Sequence, residues 1–136
     1  MIDLVLSHSR KYLVPVLSAA LFAAFPAAAQ QALDGKVFSG VFLERGKTSG
    51  DADTLSFSNG RFRSSACDRY GYGDAPYRVV AVEGDVTRFE ATTESPRYGK
   101  LEWTGTIRGD KLDATAMMLR SGKAPVENWV VAGLKK

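Results

Sequence analysis

The chain has 136 residues, 45% of them hydrophobic, 10% aromatic and 24% charged, with one cysteine, one histidine and a net charge of +3. That is material for one small domain, and the proportions exclude a disordered tail, a collagenous segment and a disulfide-stapled miniprotein. Basic residues are dispersed and interleaved with acids, so no nucleic-acid footprint is expected.

Residues 1–29 read as a cleavable secretory signal peptide. Arg10 and Lys11 precede an apolar run from Tyr12 to Phe25, and Pro26-Ala27-Ala28-Ala29 supplies the small residues of an A-x-A cleavage site. The run is short for a membrane span, and no cysteine stands near the cleavage site to carry a lipid. The expected product is therefore periplasmic or secreted, with no stable membrane anchor, and comprises residues 30–136 as a single domain. Its release removes His8 and lowers the net charge from +3 to +2, because Arg10 and Lys11 leave together with Asp3.

From Lys36 onward, short runs alternating apolar and polar residues are separated by Gly-containing turns, which is the period of a strand. Eight strands are predicted, near 36–44, 53–58, 61–66, 76–82, 86–94, 99–108, 111–119 and 126–134. In the stretch Leu101 to Arg108, the odd positions face a core while Glu102, the threonines and Arg108 face water. Ser58-Asn59-Gly60-Arg61 holds the Asn-Gly pair of a tight hairpin turn, and Glu83-Gly84-Asp85, Gly109-Asp110 and Ser121-Gly122-Lys123 punctuate the chain similarly. Short links make neighbouring strands antiparallel, and closing the meander removes its edges. The expected fold is thus all-β, an eight-stranded antiparallel up-and-down barrel of lipocalin-like form, with a two-sheet sandwich as the alternative.

Phasing each strand on its apolar side directs Phe38, Phe42, Phe57, Phe62, Tyr77, Phe89, Trp103 and Trp129 inward. The same phase directs Gly40, Ser64, Ala66, Ala81, Ala91, Gly105, Ala114 and Ala116 inward. Large and small residues together either fill a tapered small barrel or leave room for one small ligand.

Several motifs dissolve on inspection. Gly46-Lys47-Thr48 lacks the first glycine of a phosphate loop, since Val41 stands there. Arg108-Gly109-Asp110 is hairpin-turn chemistry. Asp51-x-Asp53 meets Leu55 and Ser56 where a calcium loop needs a ligand and a glycine, so no metal site is expected. Without His8 no histidine remains for Ser-His-Asp or Cys-His catalysis, and Glu90 and Glu94 have solvent-facing parity for a glycosidase pair. A lone Cys67 without C-x-x-C-H attaches no c-type haem. A non-enzymatic protein with no catalytic residues and no cofactor is therefore expected.

One connection is too long for a tight turn, and it holds the chain's single cysteine and three tyrosines: Ser64-Ser65-Ala66-Cys67-Asp68-Arg69-Tyr70-Gly71-Tyr72-Gly73-Asp74-Ala75-Pro76-Tyr77. Binding residues collect in loops at barrel mouths, and tyrosine offers contact area with a hydrogen-bonding tip. The alternative is a lid whose tyrosines plug the barrel end. Candidate ligand contacts are Cys67, Asp68, Arg69, Tyr70, Tyr72 and Tyr77 from this loop, with Trp103 and Trp129 from the barrel. As an unpaired thiol in an exported chain, Cys67 is either a buried small hydrophobe or open to oxidation and intermolecular pairing.

Leu33-Asp34-Gly35-Lys36-Val37-Phe38 resembles the lipocalin opening, with Phe38 three residues after Gly35. Leu55 to Gly60 followed by Ala66-Cys67-Asp68-Arg69-Tyr70 resembles the motif of META-type envelope domains, with Ala66 and Asp68 at the Gly and Asn positions. From Thr54 to Lys136 the chain is similar to small exported bacterial β-barrel proteins with a Ser-Ser-x-Cys-Asp-x-Tyr-Gly core and a Trp-x-Gly-Thr strand, here Trp103 to Thr106. These likenesses imply a fold and a compartment and no activity. The functional expectation is an envelope or secreted barrel that binds a small apolar or amphipathic ligand. The alternative is a module that binds an envelope protein or inhibits a secreted hydrolase.

Overall fold

The computed structural model describes residues 30–136, and the signal-peptide expectation lies on residues outside that range. Eight strands follow one another: β1 (Val37–Glu44), β2 (Asp51–Ser58), β3 (Arg61–Ser64), β4 (Ala75–Glu83), β5 (Val86–Ser95), β6 (Gly99–Arg108), β7 (Lys111–Leu119) and β8 (Val126–Leu134). Each pairs antiparallel with the next, and β8 returns to pair with β1, from Phe38 opposite Leu134 to Glu44 opposite Asn128. The structure is therefore the closed up-and-down barrel that the alternating pattern predicts, and not a sandwich.

The two ends of the barrel differ because their connections differ. At one end, two-residue turns join β2 to β3, β4 to β5 and β6 to β7. Asn59 and Gly60 there adopt φ of 51° and 72°, the left-handed pair that makes a hairpin turn match strand twist. The segment from Gln30 to Lys36 closes this end, with Leu33 fully buried beneath it. Asp34 accepts the Gly60 N–H at 3.0 Å and the Tyr77 hydroxyl at 2.7 Å. β4 extends past the start of β3, so Val79 has no strand partner on that side. The Gln30 side-chain amide takes its place, bonding the Val79 C=O and N–H at 3.2 Å each.

Aromatic side chains fill the middle. Phe57 packs against Phe89 at 4.9 Å, Tyr77 at 5.1 Å and Phe62 at 5.3 Å between ring centroids, and Phe62 continues to Trp103 at 4.9 Å. Edge-to-face packing of this kind adds to simple area burial. Gly105 makes the arrangement feasible, because the Phe89 ring of the neighbouring strand lies across the space a Cβ would take. Gly40, Ala91, Gly105 and Ala116 face this filled region and do not line an open lumen.

Three inward assignments change. Trp129 points outward and is 40% exposed, because β8 pairs Asn128, Val130 and Ala132 with the inward Ala116, Ala114 and Leu112 of β7. The run Trp129 to Ala132 is apolar on both faces, so its own pattern cannot choose the phase. Ala81 follows a bulge between Val79 and Ala81 and pairs with the outward Arg88. Ala66 leaves the sheet altogether, since β3 stops at Ser64 and Ser65–Tyr70 forms a 3-10 turn.

The outer wall of β3 to β6 exposes Arg61, Arg63, Arg78, Glu94, Lys100 and Glu102, unlike the apolar band of a lipid-facing barrel. Along the β1–β8 seam, Val41, Trp129 and Val131 are the exposed apolar residues.

Candidate functional site

The longer connections, β1–β2, β3–β4, β5–β6 and β7–β8, gather at the other end and leave a cavity of about 470 Å³. Its volume lies within the range of small-ligand pockets. Phe42, Leu101 and Met118 contribute apolar wall from β1, β6 and β7, while Cys67, Tyr70, Tyr72 and Tyr98 come from the connections. Below it, the buried Trp103 ring stands 5.9 Å from Phe42, so the aromatic core forms the floor.

Hydrogen bonding to buried side chains fixes the mouth. Asp53, on the inward face of β2 and 3% exposed, accepts the Ser64 hydroxyl at 2.7 Å, the Ser65 hydroxyl at 3.3 Å and the Ala66 N–H at 3.0 Å. These three donors turn the chain out of β3 and into the 3-10 turn that carries Cys67 and Tyr70. Gly71, at φ 82°, ends that turn, its N–H bonding the Asp68 C=O at 2.9 Å. The buried Ser95 hydroxyl donates to the Tyr70 C=O at 2.7 Å and accepts the N–H groups of Arg97 and Tyr98. Tyr72 in turn donates to the Tyr98 C=O at 3.1 Å, and the Tyr70 and Tyr98 rings meet edge to face at 5.5 Å. Two connections are thus laced into one rim.

Cys67 lies at the cavity wall with its Sγ 3.3 Å from Ser64 Oγ. Burial, with further help from the negative charges of Asp53, Asp68 and Asp51, pushes its thiol up to about 11, while the Ser64 hydroxyl opposes the shift. A thiol so rarely ionised at neutral pH is a weak nucleophile. The rate of iodoacetamide alkylation of the native protein should therefore keep rising with pH to about 11. In the urea-unfolded chain it should level off near the ordinary thiol range. A native profile that levels off with the unfolded one would show Cys67 to be solvated. By the same linkage, the folded state binds the thiol proton more tightly, so Cys67 erodes stability as pH rises through that window.

The sequence-derived contacts divide. Cys67, Tyr70 and Tyr72 line the cavity, and Trp103 lies under its floor. Asp68 and Arg69 turn to the outer surface, where Asp68 pairs with Arg63, and Arg69 with Asp51 at 2.5 Å. Tyr77 belongs to the opposite end, where burial and the Asp34 carboxylate hold its hydroxyl well above the usual phenol range. Trp129 stands on the outer wall, its indole N–H on Glu127 at 2.5 Å. Sequence reasoning missed Tyr98, Met118, Arg120 and Asn128. Asn128 had a signal, a polar residue at inward parity, that becomes visible only once the phase of β8 is known.

Comparison with family models, curated proteins and solved structures finds no match to this chain.

Proposed function

We propose that the protein is an exported, non-catalytic barrel that binds one small apolar or amphipathic ligand in the loop-end cavity. The observation that carries this reading is the position of the cavity: Phe57, Phe62, Phe89 and Trp103 are fully buried in the middle of the barrel, and a cavity of about 470 Å³ lies beyond them where tyrosines and apolar side chains converge. A solvent-open hollow of this size, walled mainly by apolar and aromatic side chains with a few polar groups among them, has the form of a small-ligand site. The export expectation is supported by the leader pattern of residues 1–29.

A Trp129→Phe variant keeps Trp103 as its one tryptophan, beneath the floor. Titrated with N-phenyl-1-naphthylamine, a neutral apolar fluorophore, it should show saturable one-to-one quenching of Trp103 and a rise in probe emission. Met118→Trp, which places an indole in the cavity, should weaken probe binding by roughly tenfold or more, as expected when apolar contact area is replaced by steric filling. Absence of saturable binding, or equal binding by Met118→Trp, would overturn the reading.

A further inference from the structure

The cavity wall is largely apolar, and among the polar groups on it Asn128 is buried and Arg120 half-buried. Asn128 is 3% exposed and faces inward from β8. Its amide nitrogen donates to the C=O of Ala116 at 3.2 Å and of Val126 at 3.4 Å, which orients the side chain. Its Oδ1 accepts no hydrogen bond among the described residues. No buried side-chain oxygen there is both sealed from solvent and unbonded, so Oδ1 is open to the cavity that Asn128 lines. In the empty cavity that oxygen meets solvent, and a ligand hydroxyl or N–H can take the place of the water there.

The second group is Arg120, half-buried in the connection after β7. Of the other charged groups on the lining, Asp51 is held by Arg69, while Glu44 and Lys47 are exposed and form no ion pair among the described residues. Arg120 forms no ion pair among the described residues. Asn128 pairs with Ala116, four residues before Arg120 along the chain, so at strand rise the two backbone positions are separated by about 13 Å along the barrel wall.

We infer that the cavity is polarised: Asn128 accepts a hydrogen bond from the inner end of the ligand while Arg120 pairs with an anion at its outer end. This rests on the ligand-binding reading and deepens it, naming the ligand class as an acidic amphiphile that carries a hydroxyl or amide N–H at the end remote from its acid group. The polar order follows from depth. A guanidinium at a solvated mouth can meet an anion that remains partly hydrated, whereas a neutral amide oxygen in the interior suits a neutral donor that costs less to desolvate.

Competition against N-phenyl-1-naphthylamine tests this with four medium-chain probes: omega-hydroxydecanoate, decanoate, decanediol and decyltrimethylammonium. The native protein should bind omega-hydroxydecanoate roughly three- to tenfold more tightly than decanoate, the worth of one net hydrogen bond. Asn128→Leu should abolish that preference and bind decanoate at least as well as the native protein. Arg120→Gln should weaken both acids by roughly tenfold and leave decanediol unchanged, as loss of a charge-assisted contact requires. Equal or tighter native binding of decanoate would overturn the role of Asn128, and this comparison stands even if Asn128→Leu fails to fold. Tighter binding of decyltrimethylammonium than of the acids would show that Glu44, opposite Asn128, is the charge the ligand meets and would overturn the role of Arg120. Failure of the fluorophore itself to bind would instead overturn the ligand-binding reading.

Discussion

Gly40→Ala should lower the melting temperature by about 15 °C or more, or prevent folding, while Gly133→Ala, at the same seam, should leave it nearly unchanged. A Cβ on Gly40 would stand 2.0 Å from the Val131 carbonyl oxygen and 2.7 Å from the Ala132 Cα, both of them backbone atoms of β8. A flexible side chain could swing aside, but a strand can yield only by separating from β1. Gly40 opposes Ala132 and Val41 opposes Val131 in the pairing that closes the barrel. Separation there would expose two strand edges and the core behind them. Overpacking within a core costs about 1–3 kcal/mol, and a clash with main chain should reach or exceed the upper figure. For a domain of this size each kcal/mol corresponds to roughly 4–8 °C. Gly133 faces outward with open space around its Cβ position, so its substitution isolates the steric effect from any general effect of removing glycine. Thermal unfolding followed by circular dichroism checks both, and equal small shifts would show that β1 and β8 approach less closely than described.

Asp53→Ala should destabilise the protein by about 2–4 kcal/mol and weaken fluorophore binding by roughly tenfold, because one buried carboxylate holds three donors of the rim. Its removal leaves the Ser64 hydroxyl and the Ala66 N–H without their acceptor and releases the Ser65 hydroxyl, which also accepts the Thr54 N–H at 2.8 Å. The 3-10 turn then loses its tie to β2, and Cys67 and Tyr70 lose their places on the cavity wall. Asp53→Asn keeps one carbonyl oxygen for the Ala66 N–H, so its cost should be smaller and its binding closer to native. Urea unfolding with parallel titration separates the two effects. A stable Asp53→Ala protein that binds normally would show that the rim is held by Ser95 and Tyr72 instead.

Much of the architecture is legible in the residues themselves. Alternation from Leu101 to Ile107 matches the observed inward set, and Asn59-Gly60 forms the turn its φ preferences favour. The candidate site was less legible. Cys67, Tyr70 and Tyr72 could be picked out because an unusual composition marked the one long connection, but Tyr98 sits in an ordinary turn, and Asn128 lies in a run whose apolar residues point both ways. Tyr77 and Tyr72 look alike in sequence, yet the 3-10 turn and β4 send them to opposite ends of the barrel.

Local pattern by itself determined an all-β chain of eight strands joined by short antiparallel links, because side-chain alternation and turn stereochemistry are properties of neighbouring residues. Only the tertiary structure decided which end of the barrel is sealed and which is hollow. That difference depends on the Gln30 to Lys36 segment filling one end and on Asp53 and Ser95 bracing the connections at the other, and these are contacts between residues far apart in the chain. The phase of β8 was also settled at that level: hydrogen bonding to β7 and β1 turns Asn128 inward and Trp129 outward, and a strand with apolar residues on both faces has no local reason to prefer either.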